Sequence, residues 1–217
     1  MNKFTGVIFD LDGTLVDSLQ DIADAMNQTL TQFNYSTYNY EQYKYFVGNG
    51  LKNLVTECLP PDKKDEKTVN TTLEVMMKNY GENYLHKTAL YPGIPELLDG
   101  LTDERYKLAI LSNKADILTK KIAAKLLQNW KFEIILGASD QFPRKPEPNA
   151  ALYIADIIKI NPENILYVGD TNVDMKTANA AGMYPVGVTW GFRTRKELEE
   201  NGAKLIIDYP TDLLKHI

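Results

Sequence analysis

Asp10 and Asp12 stand two residues apart in Gly6-Val7-Ile8-Phe9-Asp10-Leu11-Asp12-Gly13-Thr14-Leu15, directly after an apolar run with the pattern of a buried strand. Side chains two apart on a strand point the same way, so one carboxylate could act on a bound group while the other handles a proton. The plainer alternative is a strand running into an Asp-Gly turn. A second acidic stretch, Gly169-Asp170-Thr171-Asn172-Val173-Asp174, follows the apolar run Ile165 to Val168. It could hold a hard cation or cap a helix. It is not a calcium loop, because Met175 stands where glycine is needed and Ala181 where the closing glutamate belongs. After Leu108 to Leu111, Ser112-Asn113-Lys114 offers a hydroxyl and backbone N–H groups ahead of a helix, a cradle for an anion or simply a cap. Lys145, within Pro143-Arg144-Lys145-Pro146-Glu147-Pro148, lies in a loop stiffened by prolines that can present one fixed positive charge, or leave it solvated.

Chemistry spread over such distances needs a frame that gathers it. Apolar runs rich in Val, Ile, Leu and Tyr recur at about residues 4–9, 106–111, 132–136, 164–168, 184–189 and 203–207, and the later ones alternate with segments of helical period at 115–130 and 150–160. This predicts an α/β fold, a doubly wound parallel sheet covered on both faces. In such sheets ligands bind beyond the carboxyl ends of the strands, which is where all four stretches fall. The first strand is separated from the second by far more chain than a crossover requires. Within that gap Leu19, Ile22, Ala23, Met26, Leu30 and Phe33, and then Leu73, Met76, Met77, Tyr80 and Tyr84, repeat at helical spacing. A helical insert is therefore expected, closing at Tyr91-Pro92-Gly93 before a helix over Ile94 to Leu101. The predicted division is a core of residues 1–15 and 90–217 with a helical cap over 16–89.

The composition narrows the function. The 217 residues are 44% hydrophobic and 24% charged, enough to build a sizeable core. A net charge of -5 with no basic arm argues against nucleic acid as a partner. One cysteine, Cys58, and two histidines, His86 and His216, exclude an intrachain disulfide and a Cys/His zinc cluster, so any metal must be held by oxygen. No apolar run approaches the length of a membrane span and no signal segment is evident, which predicts a soluble, cytoplasmic protein. The sequons at Asn27, Asn34 and Asn70 are then chance matches.

Taken together, DxDGT at Asp10 to Thr14, the hydroxyl at Ser112, Lys145 before proline and GDxxxD at Asp170 to Asp174 resemble the four motifs of haloacid-dehalogenase-superfamily phosphatases. Val47-Gly48-Asn49-Gly50, Tyr91-Pro92-Gly93 and Trp190-Gly191-Phe192 with Gly202-Ala203 are most similar to the phosphoglycolate phosphatase branch. Serine replaces the commoner threonine at Ser112, which keeps the hydroxyl. The resemblance implies Asp10 as nucleophile, Asp12 as general acid and base, and Mg²⁺ held by Asp10, the Asp12 backbone carbonyl and Asp170. It further implies that Ser112, the Asn113 amide and Lys145 hold the phosphoryl group, with Asp174 and Thr14 supporting them from behind. The expected substrate is a small phosphorylated metabolite, 2-phosphoglycolate first, recognised through Asn49 in a turn spanning Val47 to Asn53; the protein is expected to be a monomer or homodimer. A β-phosphoglucomutase-like mutase, a pyrophosphate, sugar-phosphate or nucleotide phosphatase, and a non-enzymatic phosphate-binding protein are the alternatives. Tyr35, Tyr38, Tyr40, Tyr43 and Tyr45, together with Cys58 and Met76-Met77, are expected to pack the cap or its interface. Lys63 to Lys67 is expected to be a solvated loop or helix start.

Overall fold

The computed structural model describes residues 3–217. In chain order the elements are β1 (Gly6–Phe9), β2 (Val16–Asp17), α1 (Leu19–Gln32), α2 (Tyr40–Phe46), α3 (Leu51–Cys58), α4 (Glu66–Asn83), β3 (Ala89–Leu90), α5 (Ile94–Asp103) and β4 (Lys107–Ala115). They continue as α6 (Asp116–Leu126), β5 (Phe132–Ala138), α7 (Asn149–Ile158), β6 (Ile165–Gly169), α8 (Asn172–Ala180), β7 (Tyr184–Val188), α9 (Arg195–Glu200) and β8 (Leu205–Ile207). A six-stranded parallel sheet runs in the order β5-β4-β1-β6-β7-β8. The chain winds outward from β1 through β4 to β5, then crosses to β6 on the other side of β1 and continues to β8. Its direction thus reverses at β1, the strand that delivers Asp10, and that reversal opens the crevice in which such sheets bind ligands.

The strands are apolar without alternation because both faces are covered. Val7, Phe9, Leu108, Ile110, Leu166 and Val168 face α5 and α6, while Ile8, Ala109, Leu111 and Tyr167 face α7 and α8. Helices α1 to α4 enclose a separate apolar cluster that includes Ile22, Met26, Leu30, Tyr43, Leu54, Cys58, Met76 and Tyr80. Their ends are cut by side-chain caps: Asn39 accepts from the Gln42 amide ahead of α2, and Asp65 from that of Thr68 ahead of α4. Asn27, the first sequon residue, is occupied within this bundle. Its amide donates to the Tyr38 carbonyl at 2.9 Å, and its oxygen accepts from the Tyr43 hydroxyl at 2.7 Å.

Bundle and sheet are joined by a two-stranded antiparallel ribbon, β2 on β3, pairing Val16 with Leu90 and Asp17 with Ala89. Asp21, in the first turn of α1, pins the returning chain by accepting from the Lys87 amide at 2.9 Å, the Thr88 amide at 2.8 Å and the Thr88 hydroxyl at 2.7 Å. Neither strand of the ribbon is long enough to show a pattern in the sequence.

Some expectations are corrected. The strand expected to end at Leu111 continues as β4 to Ala115, with a register irregularity between Leu111 and Ala115 that frees Ser112 to Lys114 from pairing with β5. The turn expected over Val47 to Asn53 ends at Gly50, whose φ of +86° suits glycine; α3 begins at Leu51 because Leu51, Leu54, Val55 and Cys58 recur at helical spacing. Of the methionine pair, Met76 is buried and Met77 half exposed. Tyr43 is fully buried and Tyr38 packs on it, but Tyr40 and Tyr45 are exposed. Lys63 ends a one-turn 3-10 helix over Pro61–Lys63, and Glu66 and Lys67 begin α4. Among the described residues no helix is long and apolar enough to cross a membrane.

Candidate active site

The carboxyl edge of the sheet gathers all four motif stretches. Asp10 follows β1 and is 6% exposed; its Oδ1 accepts from the Leu11 amide at 2.7 Å and lies 3.0 Å from Lys145 Nζ. The same ammonium donates to Asp174 Oδ1 at 2.7 Å, so Lys145 bridges the two carboxylates from beneath. Asp174 is oriented by its neighbour in the capping box of α8: the Thr171 hydroxyl donates to Oδ2 at 2.6 Å and the Thr171 amide at 3.1 Å. Asp170, fully buried at the end of β6, accepts from the Thr14 hydroxyl at 3.0 Å and the Phe192 amide at 2.8 Å. Thr14 thus contacts Asp170, and Asp174 contacts Lys145.

The electrostatics follow from burial. Asp10, Asp170 and Asp174 place carboxylate oxygens within 4.8 Å of one another. Desolvation pushes Asp10 up to about 7, Lys145 counteracts this, and Asp174 and Asp12 push it further up. Asp170 is raised by the same burial and by Asp174 and Asp10. Burial alone would discharge Lys145; its two carboxylate partners instead hold it well above the ordinary lysine range. Three buried carboxylates against one ammonium leave excess negative charge on oxygen donors, which fits a small divalent cation. Gly13 makes the approach possible: at φ +84° it faces Asp170, where an added Cβ would meet the carboxylate Oδ2 at 2.3 Å.

Asp12 belongs to a different pair. Both its oxygens accept from Lys114 Nζ, at 2.8 and 3.0 Å, and the Ser18 hydroxyl donates to Oδ1. Lys114 is buried while Asp12 is only partly so, and the ring of Tyr80 from α4 lies 4.7 Å from Nζ. The sequence reading gave Lys114 no role, although its two-residue offset from Ser112 along one strand was a signal that the two share a face. Ser112 and Asn113 are buried beside it. The Asn113 side chain knits the edge together, donating to the Gly48 carbonyl at 3.0 Å and the Lys145 carbonyl at 3.1 Å while accepting from the Lys145 amide at 3.0 Å.

Between this edge and the helical bundle lies a cleft of about 40 Å³ lined by Asp10, Asp12, Ser112, Asn113 and Lys114 on one side and by Ile22, Val47, Gly48, Gly50, Leu51 and Leu54 on the other. Asn49 is exposed on the same turn, outside that wall, although its neighbours Gly48 and Gly50 form part of it. The bundle is fastened over the cleft by a residue that nothing local foretold. Arg193, 8% exposed in the loop after β7, donates to the carbonyls of Lys44, Tyr45 and Val47 at the end of α2 and pairs with Glu197 at 3.3 Å. Cys58 takes no part: it is buried in the bundle, and desolvation pushes its thiol up to about 12.

The sequence matches the family of haloacid dehalogenase-like hydrolases over residues 7–188. It is 35% identical over 209 residues to the phosphoglycolate phosphatase of Aquifex aeolicus (strain VF5), spanning 96% of this chain and 94% of that protein. It is 32% identical over 218 residues to the phosphoglycolate phosphatase of Haemophilus influenzae (strain 86-028NP), spanning 98% and 97%. Among solved structures, a haloacid dehalogenase-like hydrolase of Streptococcus pneumoniae superposes with a TM-score of 0.89 at 26% identity, covering 100% of this chain and 99% of that one.

Proposed function

The chain belongs to the haloacid dehalogenase-like hydrolases, and from that premise we propose that it is a Mg²⁺-dependent phosphomonoesterase working through an aspartyl-phosphate, with 2-phosphoglycolate as its preferred substrate. The observation that carries this reading is the buried Lys145 ammonium shared between Asp10 and Asp174 at 3.0 and 2.7 Å, beside a third carboxylate, Asp170. Such a site counters the charge of a phosphoryl group while keeping one carboxylate oriented to attack it. The names of the relatives and the small volume of the cleft support a short organic remainder.

Asp10, the Asp12 backbone carbonyl and Asp170 would hold the metal ion. When bound, it supplies charge neutralisation between the Asp10 carboxylate and the phosphoryl oxygens. An Asp10 oxygen attacks phosphorus as the ester P–O bond breaks, and Asp12 gives a proton to the departing alcohol. Asp12 then takes a proton from the water that attacks the same phosphorus, which releases inorganic phosphate and restores Asp10. Ser112, the Asn113 backbone amide and Lys145 hold phosphoryl oxygens through both steps, and Lys145 keeps its place through Asp174. Helices α1 to α4, within the segment 16–89, act as the cap that excludes water during the first step.

The test is phosphate release from 2-phosphoglycolate, β-glucose 1-phosphate, pyrophosphate and a nucleoside monophosphate, each with Mg²⁺ and with chelator. A dominant signal on 2-phosphoglycolate that chelator abolishes is expected. Transfer of phosphate between sugar positions without release would replace this reading by a mutase, and hydrolysis that survives Asp10→Asn would remove the covalent route.

A further inference from the structure

Lys114 is the charged group of the cleft that the phosphoryl chemistry leaves unused. It is 5% exposed and lines the cleft in company with Asp10 and Asp12, whereas the facing wall of Ile22, Val47, Leu51 and Leu54 is apolar. Lys145, the other buried lysine of the site, lies behind Asp10 and is committed to it and to Asp174. The two ends of a bound ester are thus distinguished by charge. Phosphorus sits at Asp10, and the ester oxygen sits within reach of Asp12, which must hand it a proton. The atoms beyond that oxygen then fall next to whatever touches Asp12 on the cleft side, and that is the Lys114 ammonium at 2.8 and 3.0 Å.

A buried ammonium against an apolar wall is costly unless it keeps an anionic partner. Burial by itself would drive Lys114 toward its neutral form, and Asp12 reverses this and holds it above the ordinary range. Its other close neighbour is the buried Tyr80 of α4, a neutral group whose ring lies 4.7 Å from Nζ. Once Asp12 turns to the ester oxygen, Lys114 needs a second anion, and a cation–π contact is a weak substitute for one.

We propose that Lys114 is the specificity-determining residue of this site, and that it reads a carboxylate carried on the carbon next to the ester oxygen of the leaving alcohol. This rests on the phosphomonoesterase reading above. It names the substrate class within it: esters of short 2-hydroxy acids, favoured over neutral alcohol phosphates of equal size. A carboxylate one carbon from the ester oxygen sits about as far from Asp12 as the ammonium does. A neutral hydroxymethyl group in the same place leaves the buried charge without its second partner.

The decisive comparison is kcat/KM, with Mg²⁺, for 2-phosphoglycolate against 2-hydroxyethyl phosphate, which replaces the carboxylate by a hydroxymethyl group. The native protein should favour the carboxylate about 10- to 100-fold, the range of a charge-assisted hydrogen bond in a dry site. Lys114→Met should slow both esters, since Asp12 loses its partner, and should also collapse the ratio to within about threefold of unity; Lys114→Arg should keep most of it. A native ratio near one, equal losses on both esters in Lys114→Met, or a ratio that survives Lys114→Met would each overturn the proposal. Calorimetric binding of the same two esters to Asp10→Asn, with and without Lys114→Met, separates this idea from the hydrolase reading. If the folded native protein releases phosphate from neither ester, the hydrolase reading falls, and carboxylate-selective binding that Lys114→Met removes still upholds Lys114. Equal binding of the two esters by Asp10→Asn overturns it, and that result does not depend on whether Lys114→Met folds.

Discussion

Raising the pH of the metal-free protein from about 5 to about 8 should destabilise it, and the loss should shrink by the Asp10 share in Asp10→Asn. The native-state pKa of Asp10 stands at about 7 against an ordinary 3.8, because the carboxyl is desolvated and faces Asp174 and Asp12. An acid whose folded pKa is raised binds its proton more tightly in the native than in the unfolded state. Its contribution is therefore full below the unfolded value and is lost as pH rises through the native one. Between pH 5 and 8 the unfolded chain has already released this proton while the native protein gives it up, which amounts to about 3 kcal/mol. For a chain of this size that corresponds to a fall in Tm of about 6–12 °C. Asp170, raised by the same burial and like charges, acts in the same direction. The assay is thermal unfolding at low ionic strength with chelator, native protein against Asp10→Asn, across this pH range. Saturating Mg²⁺ should restore the native Tm at pH 8, by about 3 kcal/mol at a hundredfold excess over Kd. Parallel Tm profiles for the two proteins would refute the view that buried like-charged carboxylates hold Asp10 up.

Two further substitutions probe the supports of the site. Gly13→Ala places a Cβ 2.3 Å from Asp170 Oδ2 at a φ of +84°, so it should cost at least about 2 kcal/mol and abolish the Mg²⁺-induced rise in Tm; a surviving rise would show that Asp170 is not needed for the metal. Arg193→Met removes the buried donors to the carbonyls of Lys44, Tyr45 and Val47 and should cost about 2–4 kcal/mol. Hydrogen exchange should then quicken in α2 and the turn after it while β1 and β6 stay protected, and uniform loss of protection would assign Arg193 to global stability instead.

What the sequence discloses here is what local pattern can carry. The six strands are apolar enough, and regular enough in spacing, to be read directly, and the motif carboxylates end them because a parallel sheet presents the carboxyl ends of its strands at one edge. The bundle is legible for the same reason in α1 and α4, whose apolar stripes are long. All the misses but α3 share a cause: each depends on a partner remote in the chain. Lys114 finds Asp12 across a separation of 102 residues, and Arg193 finds Val47 across 146. β2 and β3 are two residues each, too short for any period to appear. Gly48 and Gly50 suggest a turn so strongly that the four apolar positions of α3 behind them are overlooked.

The ribbon of β2 and β3 also bears on how such a protein can change over generations. The bundle leaves and re-enters the sheet through paired strands whose Cα atoms lie about 5 Å apart, so the sheet sees it as a hairpin loop with fixed ends, whatever its contents. Loop closure depends only weakly on the number of residues enclosed, so a longer or shorter bundle between Asp17 and Ala89 that keeps the carbonyls facing Arg193 would change the closure cost little. The buried carboxylates Asp10, Asp170 and Asp174 and the Lys145 ammonium all lie outside the splice. A lineage can therefore exchange the apolar wall of the cleft, Ile22, Val47, Leu51 and Leu54, while inheriting the charged groups of the sheet edge, Lys114 among them.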